Sequence, residues 1–126
     1  MVRTPVRGFT LIELLVVLAV LGLLLSLAAP KYVRSVDNAK ETVLMENLRT
    51  TRDAIDRFHA DRGRYPVSLD ELVARRYLRS LPLDPLVGNA TSWRMVAVAQ
   101  EGEVGIRDLR SRAPGRGRNG QPYAQW

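Results

Sequence analysis

The stretch Arg7-Gly8-Phe9-Thr10-Leu11-Ile12-Glu13-Leu14-Leu15-Val16-Val17 decides how this chain is built. It opens an apolar run from Phe9 to Ala29, 21 residues, in which Glu13 is the only charged residue. As an α-helix, this run would rise about 30 Å, which is the thickness of a bilayer's hydrocarbon core. The sequence therefore predicts a transmembrane helix over residues 9–29.

Glu13 is an unfavourable residue for such a helix, because a carboxylate at mid-bilayer costs about 2.5–3.5 kcal/mol. Membrane segments keep charged residues where these find a partner, so Glu13 is a candidate functional residue. It falls in the first turn of the predicted helix, where the helix dipole favours a negative charge. The alternative is a plain signal anchor with one stray acid near the membrane surface.

The flanks of the apolar run favour an anchor that stays in the membrane. A secretory signal peptide would have a shorter apolar stretch and a small-residue cleavage site. Ala28-Ala29-Pro30 is a poor site of that kind, because proline would follow the cut. Basic residues lie on both sides of the run, and we expect the short N-terminus inside and the larger C-terminal part outside. Pro30 lacks an amide hydrogen, which predicts a helix kink or local melting there.

Residues 30–62 form an amphipathic pattern that predicts a stalk helix continuous with the membrane helix. Charged residues, Glu41 among them, are expected on its other faces. Gly63 and Pro66 end the pattern, so one helix is predicted from Phe9 to Asp61. The apolar positions recur at spacings compatible with three and four residues: Val33, Val36, Leu44, Leu48, Ile55 and Phe58.

Residues 63–126 predict a small globular region. Ser68 followed by Glu71 is a capping-box pattern for a short helix. Residues 93–99 and 103–107 are β-prone and flank Glu101-Gly102, which predicts an antiparallel hairpin packed on the stalk helix. The fold class is therefore α+β. The last residues, rich in glycine and proline, predict an irregular loop with Tyr123 and Trp126 as anchors.

Composition excludes several classes of function. The chain has no cysteine, a single histidine (His59) and no glycine-rich phosphate loop, so we expect no enzyme and no metal site. The net charge is +6, and four arginines fall close to the C-terminus. We interpret these arginines as a solvated loop, with an acidic partner subunit or DNA as the alternatives. They are Arg110, Arg112, Arg116 and Arg118.

The segment Arg7–Val17 resembles the class III signal of type IV pilins and type II secretion pseudopilins. The resemblance implies that residues 1–8 are a leader cleaved after Gly8 by a prepilin peptidase, which also methylates the new Phe9 amine. It implies a role for Glu13 in assembly, and Pro30 also falls where this family often has a proline. On physical grounds, the Phe9 ammonium of a neighbouring subunit is a better partner for Glu13 than the subunit's own, because pairing offsets desolvation and fixes register.

Two further stretches narrow the resemblance to one family of pseudopilins. Gly63-Arg64-Tyr65-Pro66 and Leu81–Asn89 resemble the general secretion pathway protein G family of major pseudopilins, although Leu86-Val87 replaces an expected aromatic residue. The resemblance implies a type IV pilin-like fold and a filament subunit anchored in the bacterial inner membrane, with its C-terminal domain in the periplasm. It implies partners: copies of itself, minor pseudopilins and the inner-membrane secretion platform. No nucleic-acid partner is expected.

The sequence is compatible with three other functions, and it departs from the family pattern near the C-terminus. The chain could instead be a type IV pilin, a competence pseudopilin that takes up DNA, or a minor pseudopilin, although minor subunits often lack the acid at position 13. Members of this family typically bind calcium in an acidic loop near the C-terminus. Residues 108–126 hold one carboxylate side chain, Asp108, and four arginines. We therefore expect no calcium site and no other cofactor.

Overall fold

A computed structural model describes all 126 residues. Two α-helices, α1 (Leu11–Arg62) and α2 (Leu69–Ala74), precede two strands, β1 (Arg94–Gln100) and β2 (Glu103–Arg110), and a 3-10 helix closes the chain at Tyr123–Gln125. The chain divides into two compact units, Met1–Asp37 and Asn38–Trp126. One long helix and a two-stranded antiparallel sheet confirm the α+β, pilin-like fold class.

The first unit contains the N-terminal part of α1. Residues 1–10 have no regular secondary structure, and the helix is uninterrupted through Pro30. Helix α1 is long and apolar enough to cross a membrane, and its apolar window is fully exposed in the isolated chain. Val33 and Val36, predicted on the apolar face of the stalk, are also exposed, because no globular element covers the helix in this unit.

The second unit is built around the rest of α1. Four of the predicted apolar positions are buried, and Thr51 fills the turn between them: Leu44, Leu48, Thr51, Ile55 and Phe58. The spacing of three and four residues places these side chains in one stripe on the helix, which the smaller elements cover. The residues that pack against the stripe include Leu72 of α2, Leu109 of β2 and Trp93.

Helix α2 begins where the sequence predicted. The Ser68 hydroxyl accepts a hydrogen bond from the Glu71 amide at 3.2 Å. The second half of the predicted capping box is wrong, because the Glu71 carboxylate accepts from the Val67 amide at 2.9 Å rather than from Ser68. The Glu71 carboxylate is also ion-paired with Arg64.

The predicted hairpin is present: β1 has the expected length but is shifted by one residue, and β2 is longer than expected because it continues to Arg110. A register shift between Val96 and Ala97 accommodates one extra residue on the β2 side. The Ile106 amide donates to the Pro66 carbonyl at 2.7 Å, which ties β2 to the segment after α1. This support, together with burial of Leu109 against the helix, stabilises a sheet that two strands alone would not.

Candidate processing and assembly site

The junction at Gly8 and Phe9 lies just before α1, in an exposed segment without regular secondary structure. Apart from its two chain neighbours, no residue lies within 4 Å of the position that a Cβ would take on Gly8. Phe9 is 89% exposed. An exposed segment without secondary structure is what a protease needs to bind a peptide bond. The two residues implicated in processing, Gly8 and Phe9, are therefore accessible to solvent in the structure.

Glu13 is held by its own helix start. Its carboxylate Oε2 accepts a hydrogen bond from the Thr10 amide at 3.3 Å, and the Thr10 hydroxyl accepts one from the Glu13 amide at 3.2 Å. These reciprocal bonds form a capping box, which satisfies two amides that the first turn leaves without helical partners. Sequence reasoning missed this role for Thr10, although threonine followed by glutamate three positions later is the signature of the motif.

The structure does not bring Pro30 to this site. Pro30 lies inside α1, 17 positions after Glu13, and the helix continues on both sides of it. The predicted kink stays a prediction. His59, the only histidine, stacks on the Tyr65 ring with centroids 4.2 Å apart, so it has a packing contact in the second unit.

A second polar cluster, which the sequence did not predict, joins α1 to the C-terminal segment within the second unit. Glu41 is 5% exposed. Its Oε1 accepts from the Tyr123 hydroxyl at 2.6 Å, and its Oε2 accepts from Arg118 Nε at 3.0 Å. The Arg118 amide also donates to Glu41 Oε1 at 3.2 Å. The pKa of Glu41 is lowered by the hydrogen bond from Tyr123 first and by those from Arg118 next, while burial opposes the shift.

The sequence contained an indication that Glu41 is buried. Glu41 lies three residues before Leu44, in phase with the buried stripe of α1, yet it was predicted on a solvent-facing side because it is charged. A glutamate in phase with an apolar stripe is buried when another segment supplies donors. Here the donors come from the predicted irregular loop, whose anchors Tyr123 and Trp126 do pack on the core.

The carboxylates nearest the C-terminal segment are already engaged by protein donors. Asp84, fully buried, accepts from the Ser111 hydroxyl at 2.6 Å and from the Leu86 amide at 2.9 Å. Asp108 Oδ1 accepts from Arg52 Nε at 2.7 Å. No three or more His, Cys, Asp or Glu side chains are grouped so that they could hold a metal ion.

Comparisons with known proteins agree with this architecture. Residues 3–29 match the prokaryotic N-terminal methylation motif, a segment that includes Gly8, Phe9 and Glu13. Type II secretion system core protein G of Klebsiella michiganensis is 30% identical over 120 residues, which cover 82% of this chain and 82% of that protein. The protein of the same name from Pseudomonas aeruginosa is 34% identical over 101 residues, covering 68% of this chain and 71% of that one.

A type IV major pilin is also similar. The protein PilA of Myxococcus xanthus is 31% identical over 98 residues, which cover 78% of this chain but only 40% of the pilin. No solved structure matches this chain. Because the similarity to the secretion proteins spans most of both chains, this chain belongs to the type II secretion system core protein G family.

Proposed function

We propose that this protein is the major structural subunit of a type II secretion pseudopilus and has no enzymatic role. The observation that carries the proposal is the methylation motif over residues 3–29, placed on an exposed apolar helix whose only charged residue before Lys31 is Glu13. A helix of this kind needs a membrane or neighbouring copies to cover it. Head-to-tail contacts between identical subunits, repeated without closure, produce a helical filament.

In this proposal, the subunit begins as a single-pass protein of the inner membrane with its second unit in the periplasm. A prepilin peptidase cleaves after Gly8 and methylates the amine of Phe9. Assembly then proceeds with minor pseudopilins and the inner-membrane secretion platform, and the growing filament drives protein export. The supporting features are the accessible Gly8–Phe9 junction and the candidate membrane span that begins at Leu11.

Cleavage exposes a new ammonium at Phe9, four positions before Glu13. We propose that the Glu13 carboxylate leaves its bond to the Thr10 amide and pairs with the Phe9 ammonium of a neighbouring subunit. The Thr10 amide is a neutral donor, whereas the Phe9 ammonium carries a full positive charge, so the new pair adds Coulomb attraction that is larger in a medium of low dielectric constant. The pairing would fix the axial register between subunits, because Glu13 lies in the first turn of α1 and Phe9 lies just before that turn.

The test is Glu13→Ala in the full chain, expressed with its peptidase and assembly machinery. The variant should insert and lose its leader normally, but should yield far fewer filaments by shearing and immunoblotting. Glu46→Ala is the matched control, because Glu46 is an exposed acid on α1 whose partner, Arg49, lies on the same helix. Glu46→Ala should assemble like the wild type, and normal filament yield from Glu13→Ala would overturn the register pairing.

A second variant separates processing from assembly. Gly8→Val places a β-branched side chain next to the proposed cleavage site and should leave the precursor uncut. An uncut chain has no Phe9 ammonium, so the proposal predicts that it fails to assemble even though Glu13 is intact. Filaments built from uncut Gly8→Val chains would contradict both the processing step and the partner assigned to Glu13.

A DNA-uptake pilin is the second candidate, favoured by the similarity to the type IV pilin and by the basic C-terminus. Contacts within the chain argue for the secretion role. Arg110 donates to the Gln125 carbonyl at 3.1 Å, Arg116 to the Gly120 carbonyl at 3.0 Å, and Arg118 is bound to Glu41. Salt-sensitive DNA binding by the full chain that falls in an Arg112→Gln variant would favour the uptake role.

A further inference from the structure

We propose that Glu41, Arg118 and Tyr123 form a latch that orders the C-terminal segment (residues 111–126) without a divalent cation. Glu41 is the fixed half of this latch, because it lies on α1, whereas Arg118 and Tyr123 belong to the segment that is ordered. The Glu41 side chain is 7% exposed and the Arg118 side chain 60% exposed. The Glu41 carboxylate is therefore buried against the helix, and the Arg118 guanidinium contacts it from the solvent-exposed side of the segment.

The latch satisfies a buried carboxylate completely from one short stretch of chain. Each oxygen of Glu41 has a donor from a side chain, Tyr123 on Oε1 and Arg118 on Oε2, and the Arg118 amide adds a backbone donor. A buried carboxylate without such partners is strongly unfavourable, so the segment can leave the helix only by exposing Glu41 to water or leaving it unpaired. Removing the charge from Glu41 therefore weakens the attachment of the segment to α1, while the packing of Tyr123 and Trp126 on the core remains.

The residues do not fit the calcium site that the family resemblance implies. Calcium takes six to eight oxygen ligands, several of them carboxylates, and negative charge supplies much of its affinity. The carboxylates available to the segment are Glu41, Asp84 and Asp108, and each one already binds protein donors. Arg118 brings a positive charge to the one buried carboxylate that contacts residues 111–126 from α1. A guanidinium thus does the ordering that a bound metal ion would do elsewhere.

The latch also shapes a surface. Asn119, Gln121 and Trp126 form one wall of a groove of about 720 Å³, and the α1 residues around Met45 and Arg49 form the other wall. Trp126 fits there because Gly117 has no side chain, since a Cβ on Gly117 would overlap the Trp126 ring. If the segment is displaced, this wall is lost. The latch itself does not rest on the proposed function.

The experiment is thermal unfolding of the full chain in detergent micelles, followed by near-ultraviolet circular dichroism and by tryptophan fluorescence. Both tryptophans, Trp93 and Trp126, lie in the second unit, so these signals follow its packing. The wild-type midpoint should be the same in millimolar calcium chloride and in EDTA. Glu41→Gln and Arg118→Gln should each lower the midpoint by about 4–8 °C. Arg112→Gln, a neighbouring exposed arginine, should leave it unchanged.

Two outcomes would overturn the latch. One is a midpoint that rises with calcium or falls with EDTA, and the other is a Glu41→Gln midpoint equal to that of the wild type. The Glu41→Gln/Arg118→Gln double variant should be scarcely less stable than Glu41→Gln alone, because the Arg118 side chain acts through its contact with Glu41. If Glu41→Gln does not fold, Tyr123→Phe removes one hydrogen bond and should lower the midpoint by a smaller amount. None of these readouts depends on filament formation, so a failed assembly assay leaves them unaffected.

Discussion

Tyr123 donates a hydrogen bond to Glu41 across 2.6 Å, although 82 positions separate the two residues in the chain. The contact fastens the last residues of the protein to the part of the long helix where the second unit begins. The hydrogen bond also lowers the pKa of Glu41, whereas burial raises it by disfavouring the charged form. Stability of the second unit is therefore linked to the charge on one helix residue.

The first prediction concerns acid. A carboxyl group whose pKa is lowered by folding contributes stability that is fully present above its unfolded-state pKa and is lost as the pH falls through its folded-state pKa. The difference in unfolding midpoint between the wild type and Glu41→Gln should therefore be largest near neutral pH and should shrink as the pH falls below 4.5, the ordinary pKa of this carboxyl group. Thermal scans of both proteins in a pH series measure this difference.

Glu71 is a second carboxyl group that affects the acid dependence of stability. Its pKa is also lowered, first by the hydrogen bond from Arg64, so it contributes its own acid dependence. This contribution is the same in the wild type and in Glu41→Gln and cancels in the difference. A difference that stays constant across the series would mean that the Glu41 charge does not contribute.

The second prediction concerns the buried turn at Asp84. Its carboxylate accepts from the amides of Leu86 and Val87 and from the Ser111 hydroxyl. Asp84→Ala should leave these buried donors unsatisfied and destabilise the second unit by about 1–3 kcal/mol per group affected. Asp84→Asn keeps an oxygen for the two amides and should lose less. Denaturant unfolding ranks the two variants.

Asp70 supplies the control for Asp84. It is an exposed acid in the first turn of α2, and Asp70→Ala should change the unfolding free energy by no more than about 0.5 kcal/mol. Equal losses from Asp84→Asn and Asp84→Ala would show that the carboxylate oxygen facing the two amides is not the group that matters.

The third prediction concerns the close approach at Gly105. A Cβ added there would lie 2.7 Å from the Tyr65 Cβ and 2.7 Å from Gln100 Nε2. The Gln100 amide group itself bonds to the backbone of Tyr65, at 2.8 Å from its N–H and 3.0 Å to its C=O. Gly105→Ala should therefore displace Gln100 and cost about 1–3 kcal/mol by overpacking, measured by denaturant unfolding.

Gly102 distinguishes this crowding from a general effect of replacing glycine. It has a φ of 77° in the turn between β1 and β2, with open space around it. Asparagine tolerates that conformation, so Gly102→Asn should be much milder than Gly105→Ala. The crowding argument fails if the order of the two variants is reversed.

The fourth prediction concerns Arg76, the one residue other than glycine with a positive φ, 64°. It follows α2 at the position where glycine usually ends a helix in the left-handed conformation. Arg76→Gly should relieve about 1 kcal/mol of strain and raise the unfolding midpoint. Arg75→Gly is the matched control, because Arg75 has a φ of −89° and gains nothing from glycine. A higher midpoint for Arg75→Gly than for Arg76→Gly would contradict this explanation.

Local patterns in the sequence carried much of the fold. The apolar run after Gly8 predicted the N-terminal helix, the spacing of Leu44, Leu48, Ile55 and Phe58 predicted its buried face, and Ser68 predicted the start of α2. Each of these features depends on residues within a few positions of one another. The pattern misled at Val33 and Val36, because an apolar stripe does not state where the covering elements begin.

The tertiary structure alone decided how the ends of the second unit are held. Glu41 was expected in solvent, and the arginines near the C-terminus were expected to be a solvated loop. Which carboxylate meets which guanidinium depends on the path of more than seventy intervening residues, which no local pattern contains. The sequence by itself determined the N-terminal methylation motif, the long apolar helix and the periodic core. Folding determined the partners of Glu41, because a buried charge is tolerated only where distant segments bring donors to it.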